Sequence, residues 1–184
     1  MTLKNIVEAL LFATPEPLTQ IRLNQIIEED VNLQDIVEQL NAEYAAAGKA
    51  LHIGKIANGY QILTHPEYHI YLQRLFTKSH RLKLSNAALE ALAIVAYKQP
   101  ISKVEIESIR GVGCDSVIHS LLERELITIK GRDEGIGRAL LYGTTQEFLK
   151  AFGLNDISDL PKLTELGQLI DKNTQIEGTG NETE

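Results

Sequence analysis

Between Ser85 and Phe152 the order of apolar residues, caps and turn residues admits few folds. The run SNAALEALAIVAYK (85–98) places Leu89, Leu92, Ala93 and Ala96 at i, i+3, i+4 and i+7, which predicts a helix with that stripe against a core. Pro100 closes it, because the residue before a proline is pushed out of the α region. Ser102, with Glu105 three residues on, forms a capping box and opens a second helix. Gly111 and Gly113 mark a turn before a third helix, CDSVIHSLLERE (114–125), whose inward face is Val117, Ile118, Leu121 and Leu122. Two strand-like segments follow, LITIK (126–130) and ALLYG (139–143), joined by the loop GRDEGIGR (131–138). Three short helices and then a β-hairpin define a winged helix-turn-helix.

The chain before Ser85 repeats this order. LKNIVEALLFA (3–13) is an amphipathic helix broken by TPEP, and Thr19 caps a second helix through Ile21, Leu23, Ile26 and Ile27. Asn32 caps a third, with Leu33, Ile36, Val37 and Leu40 on one stripe. LHIGKIA and YQILT form a hairpin around Asn58-Gly59, a pair suited to a type I′ turn because both residues tolerate positive φ. A further helix runs from Pro66 to about Phe76. Pro17-Leu18-Thr19 is answered by Pro100-Ile101-Ser102, and Leu33, Val37 and Leu40 by Cys114, Ile118 and Leu121. Each hairpin precedes a helix, the second opened by a Thr144/Glu147 capping box.

The expected fold is therefore mainly α with small β-hairpins (α+β), built as two tandem winged helix-turn-helix domains over 1–80 and 81–163. The segment TKSHRLKL (77–84) joins them and carries Lys78, Arg81 and Lys83, either as a solvated linker or as a strap that touches phosphate. Residues 164–184 are polar and acidic with little to bury, and are expected to be a disordered tail.

Charge bears most on function, because this fold is often a DNA reader. The net charge of −7 over 184 residues puts naked DNA binding at a disadvantage. A DNA-reading third helix offers Arg, Lys, Asn or Gln to base edges. Here it offers Asp115, Ser116, His119, Ser120 and Glu123, with Arg124 alone at the end, and its counterpart offers Gln34, Asp35, Glu38 and Glu43. Phosphate repels those carboxylates. No stretch approaches the ~20 apolar residues of a membrane span, and the charged first helix does not resemble a signal peptide. The lone Cys114 cannot form an internal disulfide, so a cytoplasmic protein is expected.

No catalytic constellation stands out, and no cofactor, metal or small-molecule substrate is expected. His65 and His69 are spaced like a two-histidine zinc pair but lack a third ligand. No base is placed beside Cys114. In the wing loop, Gly131, Gly135 and Gly137 supply turns rather than a phosphate cradle, and Arg132 and Arg138 suit carboxylates of a protein partner. PEYHIYLQRLF (66–76) carries more apolar surface than one small core uses, at Tyr68, Tyr71, Leu72, Leu75 and Phe76 among others. This surplus indicates either a subunit interface or packing against the other domain. Phe148, Leu149 and Phe152 make a similar ridge on which a partner helix could dock.

The blocks ALEALAIVAYKQPISKVEIESIRGV, LLERELI, GRDEGIGRALLYGTTQEFLKAFGL and DLPKL resemble segregation and condensation protein B (ScpB), with a weaker match through IVEALLFATPEPLT and GYQILT. This resemblance implies a non-enzymatic subunit of the bacterial SMC condensin-like complex. It implies a homodimer paired through the first domain that binds the kleisin ScpA, with ScpA bridging the SMC ATPase heads. Chromosomal DNA would be engaged indirectly, in the cytoplasm at the nucleoid. On this basis Arg110, Arg132, Arg138, Tyr142, Phe148 and Phe152 are the candidate partner-binding residues. Tyr68, Tyr71, Leu72, Leu75 and Phe76 are the candidate dimer interface. The alternative is a winged-helix transcription regulator that reads DNA directly.

Overall fold

The computed structural model describes residues 2–29, 31–76, 84–135, 137–162 and 165. The linker charges Lys78, Arg81 and Lys83, and the tail apart from Glu165, lie outside the described residues.

Capping sets the first half of the chain. Thr2 caps α1 (Leu3–Ala13), Thr19 caps α2 (Gln20–Ile26) and Asn32 caps α3 (Leu33–Ala46), each by accepting a hydrogen bond from a backbone N–H of the first turn. The expected stripe of α3 is buried in full, at Leu33, Ile36, Val37 and Leu40. It meets Val7 and Leu11 of α1, Leu18 and Leu23 in the first core. Strands β1 (Leu51–Ile56) and β2 (Gly59–Thr64) close that core as an antiparallel hairpin. A 3₁₀ turn at Pro66–Tyr68 leads into α4 (His69–Phe76).

The hairpin turn sits one residue earlier than expected. Ile56 pairs with Gly59, so the two loop residues are Ala57 and Asn58, at φ 49 and 61. Gly59 is needed in the strand instead. A Cβ there would stand 2.9 Å from Pro17 Cβ and 3.0 Å from the Leu18 carbonyl oxygen. Leu18 crosses at this point, donating its N–H to the Tyr60 carbonyl at 2.8 Å and accepting from Tyr60 N–H at 2.9 Å. Gly59→Ala is expected to lower unfolding free energy by roughly 1–3 kcal/mol, the cost of overpacking against atoms that cannot yield. Gly131→Ala, where nothing lies within 4 Å, should change stability little. Urea titrations of the two variants check this, and equal midpoints would refute it.

The second half runs α5 (Asn86–Lys98), β3 (Ile101–Ser102), α6 (Lys103–Arg110), α7 (Asp115–Glu123), β4 (Ile127–Arg132), β5 (Leu140–Thr144) and α8 (Gln146–Phe152). Its sheet has the order β3-β5-β4, all antiparallel. The short β3 was not expected. Pro100-Ile101-Ser102 does what Pro17-Leu18-Thr19 does: the aliphatic residue is buried and pairs with a tyrosine, Tyr142 or Tyr60, and the hydroxyl residue caps the next helix. The chain thus contains two tandem winged helix-turn-helix units in a mainly α, α+β fold.

Two further expectations are corrected. The buried stripe of α5 is Ala88, Ala91, Leu92, Val95 and Ala96, whereas Leu89 and Ala93 are exposed. The helix is apolar almost all round, so spacing alone allows either stripe. The cap of α8 is Thr145, which accepts from Phe148 N–H, while Thr144 is buried at the end of β5 and donates its N–H to Gln99 Oε1 at 2.7 Å.

The capping box of α6 is present as expected. Ser102 N–H and Oγ donate to Glu105 Oε2 at 2.9 and 2.7 Å, and those bonds hold the Glu105 carboxyl below its ordinary pKa. A depressed carboxyl adds stability above its unfolded pKa and loses it as pH falls through its folded value. Glu105→Gln is therefore expected to lower stability at neutral pH and to flatten the acid limb of a Tm-against-pH curve. A parallel downward shift at every pH would contradict this.

Candidate partner-binding surfaces

The six residues expected to meet a partner divide by depth. Arg110, at the end of α6, has a side chain only 5% exposed. Its Nε bonds Glu90 Oε2 of α5 at 3.0 Å, and its Nη1 donates to the Gly113 carbonyl at 3.4 Å. It ties the turn before α7 to α5. Tyr142 is buried in β5 beside Ile101 and Ile129, and Phe148 is buried in α8. Within the chain the side chains of all three are largely covered.

The other three are outside. Arg132 and Arg138 lie exposed on the wing, where Arg132 Nη1 donates to the Arg138 carbonyl at 3.2 Å and Arg138 turns the chain at φ 44. Phe152 is about half exposed, its ring 4.7 Å from that of Phe148. The i, i+4 spacing brings the two rings together on one face of α8, and the curvature of the core covers only the first.

Phe152 borders a groove of about 310 Å³ with Leu84, Leu89, Leu126 and Ala151, rimmed by Arg124 and Glu147. Arg124 Nε donates to Ser120 Oγ at 3.4 Å, and its buried Nη1 has no hydrogen-bond partner among the described residues. Neither Leu89 nor Arg124 was expected here. The signal available was the surplus of leucine and alanine on α5, more than one buried stripe accommodates.

The third-helix faces carry the carboxylates foreseen. On α7, Asp115 pairs with Lys103, and His119 lies 3.2 Å from Glu123. On α3, Gln34 bonds Glu38 and Glu43 pairs with Lys4. Tyr44 donates to Glu8 at 2.8 Å, and burial together with that carboxylate pushes its phenol up to about 12.

Helix α4 differs from its neighbours because no residue of it is buried. Ile70, Tyr71, Leu75 and Phe76 are all at least half exposed, and Tyr68 and Leu72 are partly covered. An isolated helix of eight residues is marginal in water. Contiguous exposed apolar surface of this kind is uncommon on a folded chain.

His65 stacks on His52 at 4.8 Å rather than converging with His69, and burial lowers the His52 pKa. Among the described residues no three His, Cys, Asp or Glu side chains are grouped to hold a metal. Cys114 is buried and its thiol is pushed up, chiefly by burial, away from the range of a nucleophile. Among the described residues no helix is long and apolar enough to cross a membrane.

A family described as "Segregation and condensation complex subunit ScpB" matches residues 5–163. A segregation and condensation protein B from Desulforamulus reducens is 50% identical over 172 residues, covering 91% of this chain and 94% of its own. Another, from Symbiobacterium thermophilum, is 50% identical over 161 residues, covering 86% and 72%. The crystal structure of ScpB from Mycobacterium tuberculosis is 33% identical, covers 83% of this chain and 95% of that one, and has a TM-score of 0.39.

Proposed function

Because the chain belongs to the family of the segregation and condensation complex subunit ScpB, we propose that it is a non-catalytic, homodimeric adaptor binding the kleisin ScpA. Through ScpA it would join the SMC ATPase, and through that assembly it would act on chromosomal DNA indirectly, in the cytoplasm at the nucleoid. Residues 1–80 serve as the dimerising domain and 81–163 as the kleisin-binding domain. The dimer forms through α4, with Tyr71, Leu75 and Phe76 as its centre and Tyr68 and Leu72 at its base. The kleisin occupies the surface bordered by Phe152 and reached by Arg132 and Arg138, with Arg110, Tyr142 and Phe148 behind it.

One observation carries this reading. Apolar side chains are left bare in two separate places, α4 and the Phe152 groove, on a chain whose third-helix faces bear carboxylates. Protein partners cover apolar surface, and phosphate avoids carboxylate. Size exclusion with light scattering, on the chain alone and then with the central segment of its host's kleisin, tests the proposal. A dimer that moves to a larger stable species with the kleisin is expected. A chain that ignores the kleisin and instead retards specific duplex DNA, with binding that falls steeply with salt, would make it a transcription regulator.

A further inference from the structure

The tip of the first hairpin makes its hydrogen bonds outside its own winged-helix unit. Ala57 N–H donates to the Leu154 carbonyl at 3.0 Å, and Asn58 N–H donates to Asn155 Oδ1 at 3.2 Å. Ile56 and Ala57 are buried in the second core rather than the first, and Leu63 across the hairpin packs on the same cluster. Lys150 Nζ, at 2.6 Å from Glu16 Oε2, makes a third tie, from α8 to the segment ahead of Leu18. Ala57 does this at φ 49, a left-handed conformation that is uncommon for any residue other than glycine. A turn free in solvent would favour glycine or asparagine there. Alanine at this position supplies the methyl group that the second core receives.

We propose that the turn Ala57–Asn58 is a latch that locks the two winged-helix units in one relative orientation. Domains joined by a linker normally move unless an apolar interface restrains them. Here an apolar contact and two backbone donors restrain them together, while the exposed Lys150–Glu16 pair adds little. The surfaces of the two units are then offered to anything spanning both at one fixed angle, with no ordering cost at the moment of binding. The latch involves neither α4 nor the Phe152 groove and stands independently of what those surfaces bind.

The test is a distance distribution between spin labels at Ala45→Cys in α3 and Ser116→Cys in α7, both exposed sites, in full-length protein diluted into unlabelled chain. The native Cys114 is buried with a raised thiol pKa and labels poorly. The parent should give one narrow peak. In Ala57→Gln/Asn155→Ala the peak should broaden and shift, and the amide of residue 58 should exchange about fivefold to tenfold faster, as expected for one lost hydrogen bond. A broad peak in the parent overturns the latch, as does an unchanged narrow peak in a folded double variant. Should that variant not fold, Asn58→Cys/Asn155→Cys decides. Ready oxidation to a disulfide that reproduces the parent peak supports the latch, and failure to cross-link overturns it.

Discussion

Leu121→Ala is expected to lower the unfolding free energy by about 3–5 kcal/mol, toward the upper end for buried leucines. Leu121 is fully buried in α7 and faces α5. Three of the five buried residues of α5 are alanines, Ala88, Ala91 and Ala96. Alanine has no side-chain freedom with which to fill a hole, so most of the removed volume stays as cavity. The matching residue of the first unit is Leu40, whose cluster includes Leu11, Leu18 and Leu23. Those leucines can shift rotamer, and Leu40→Ala should cost less, about 2–3 kcal/mol. Since whole domains are stable by only about 5–15 kcal/mol, either loss is large. Urea unfolding of both variants checks the order, and a cost below about 1 kcal/mol for Leu121→Ala would contradict it.

Tyr71→Asp/Leu75→Asp is expected to turn the proposed dimer into a monomer, weakening self-association by a hundredfold or more. Burying an aromatic or leucine side chain at an interface contributes about 1.5–3 kcal/mol, and each factor of ten in Kd corresponds to about 1.4 kcal/mol. Two buried carboxylates without partners add to the loss. No residue of α4 is buried within the chain, so circular dichroism and monomer stability should stay near the parent's. Light scattering over a range of concentrations makes the measurement. A variant that remains dimeric would place the interface elsewhere.

Much of the fold is legible locally. The caps Thr19, Asn32 and Ser102 mark helix starts within a residue, because a cap satisfies N–H groups two or three positions away. Thr144 and Thr145 show the limit of that signal. Either could cap α8, and the one that pairs in β5 is unavailable. The candidate surfaces were less legible. The excess apolar character of α4 could be counted along the chain. The burial of Arg110 could not, since it depends on Glu90 of another helix. Phe148 and Phe152 share a face and a spacing, yet one is core and the other surface.

The order of the helices and hairpins, the caps Thr19, Asn32 and Ser102, and the stripes of α3 and α7 were determined by sequence, because helix and strand periods and capping bonds act within a few residues. The family resemblance was also carried by contiguous blocks. Tertiary structure alone decided which stripe of α5 is buried, that Gly59 belongs to a strand, that Arg110 is interior, and that Ala57 and Asn58 bond to Leu154 and Asn155. Each of these turns on a partner far along the chain, and no local pattern encodes which distant backbone will pass within hydrogen-bonding reach.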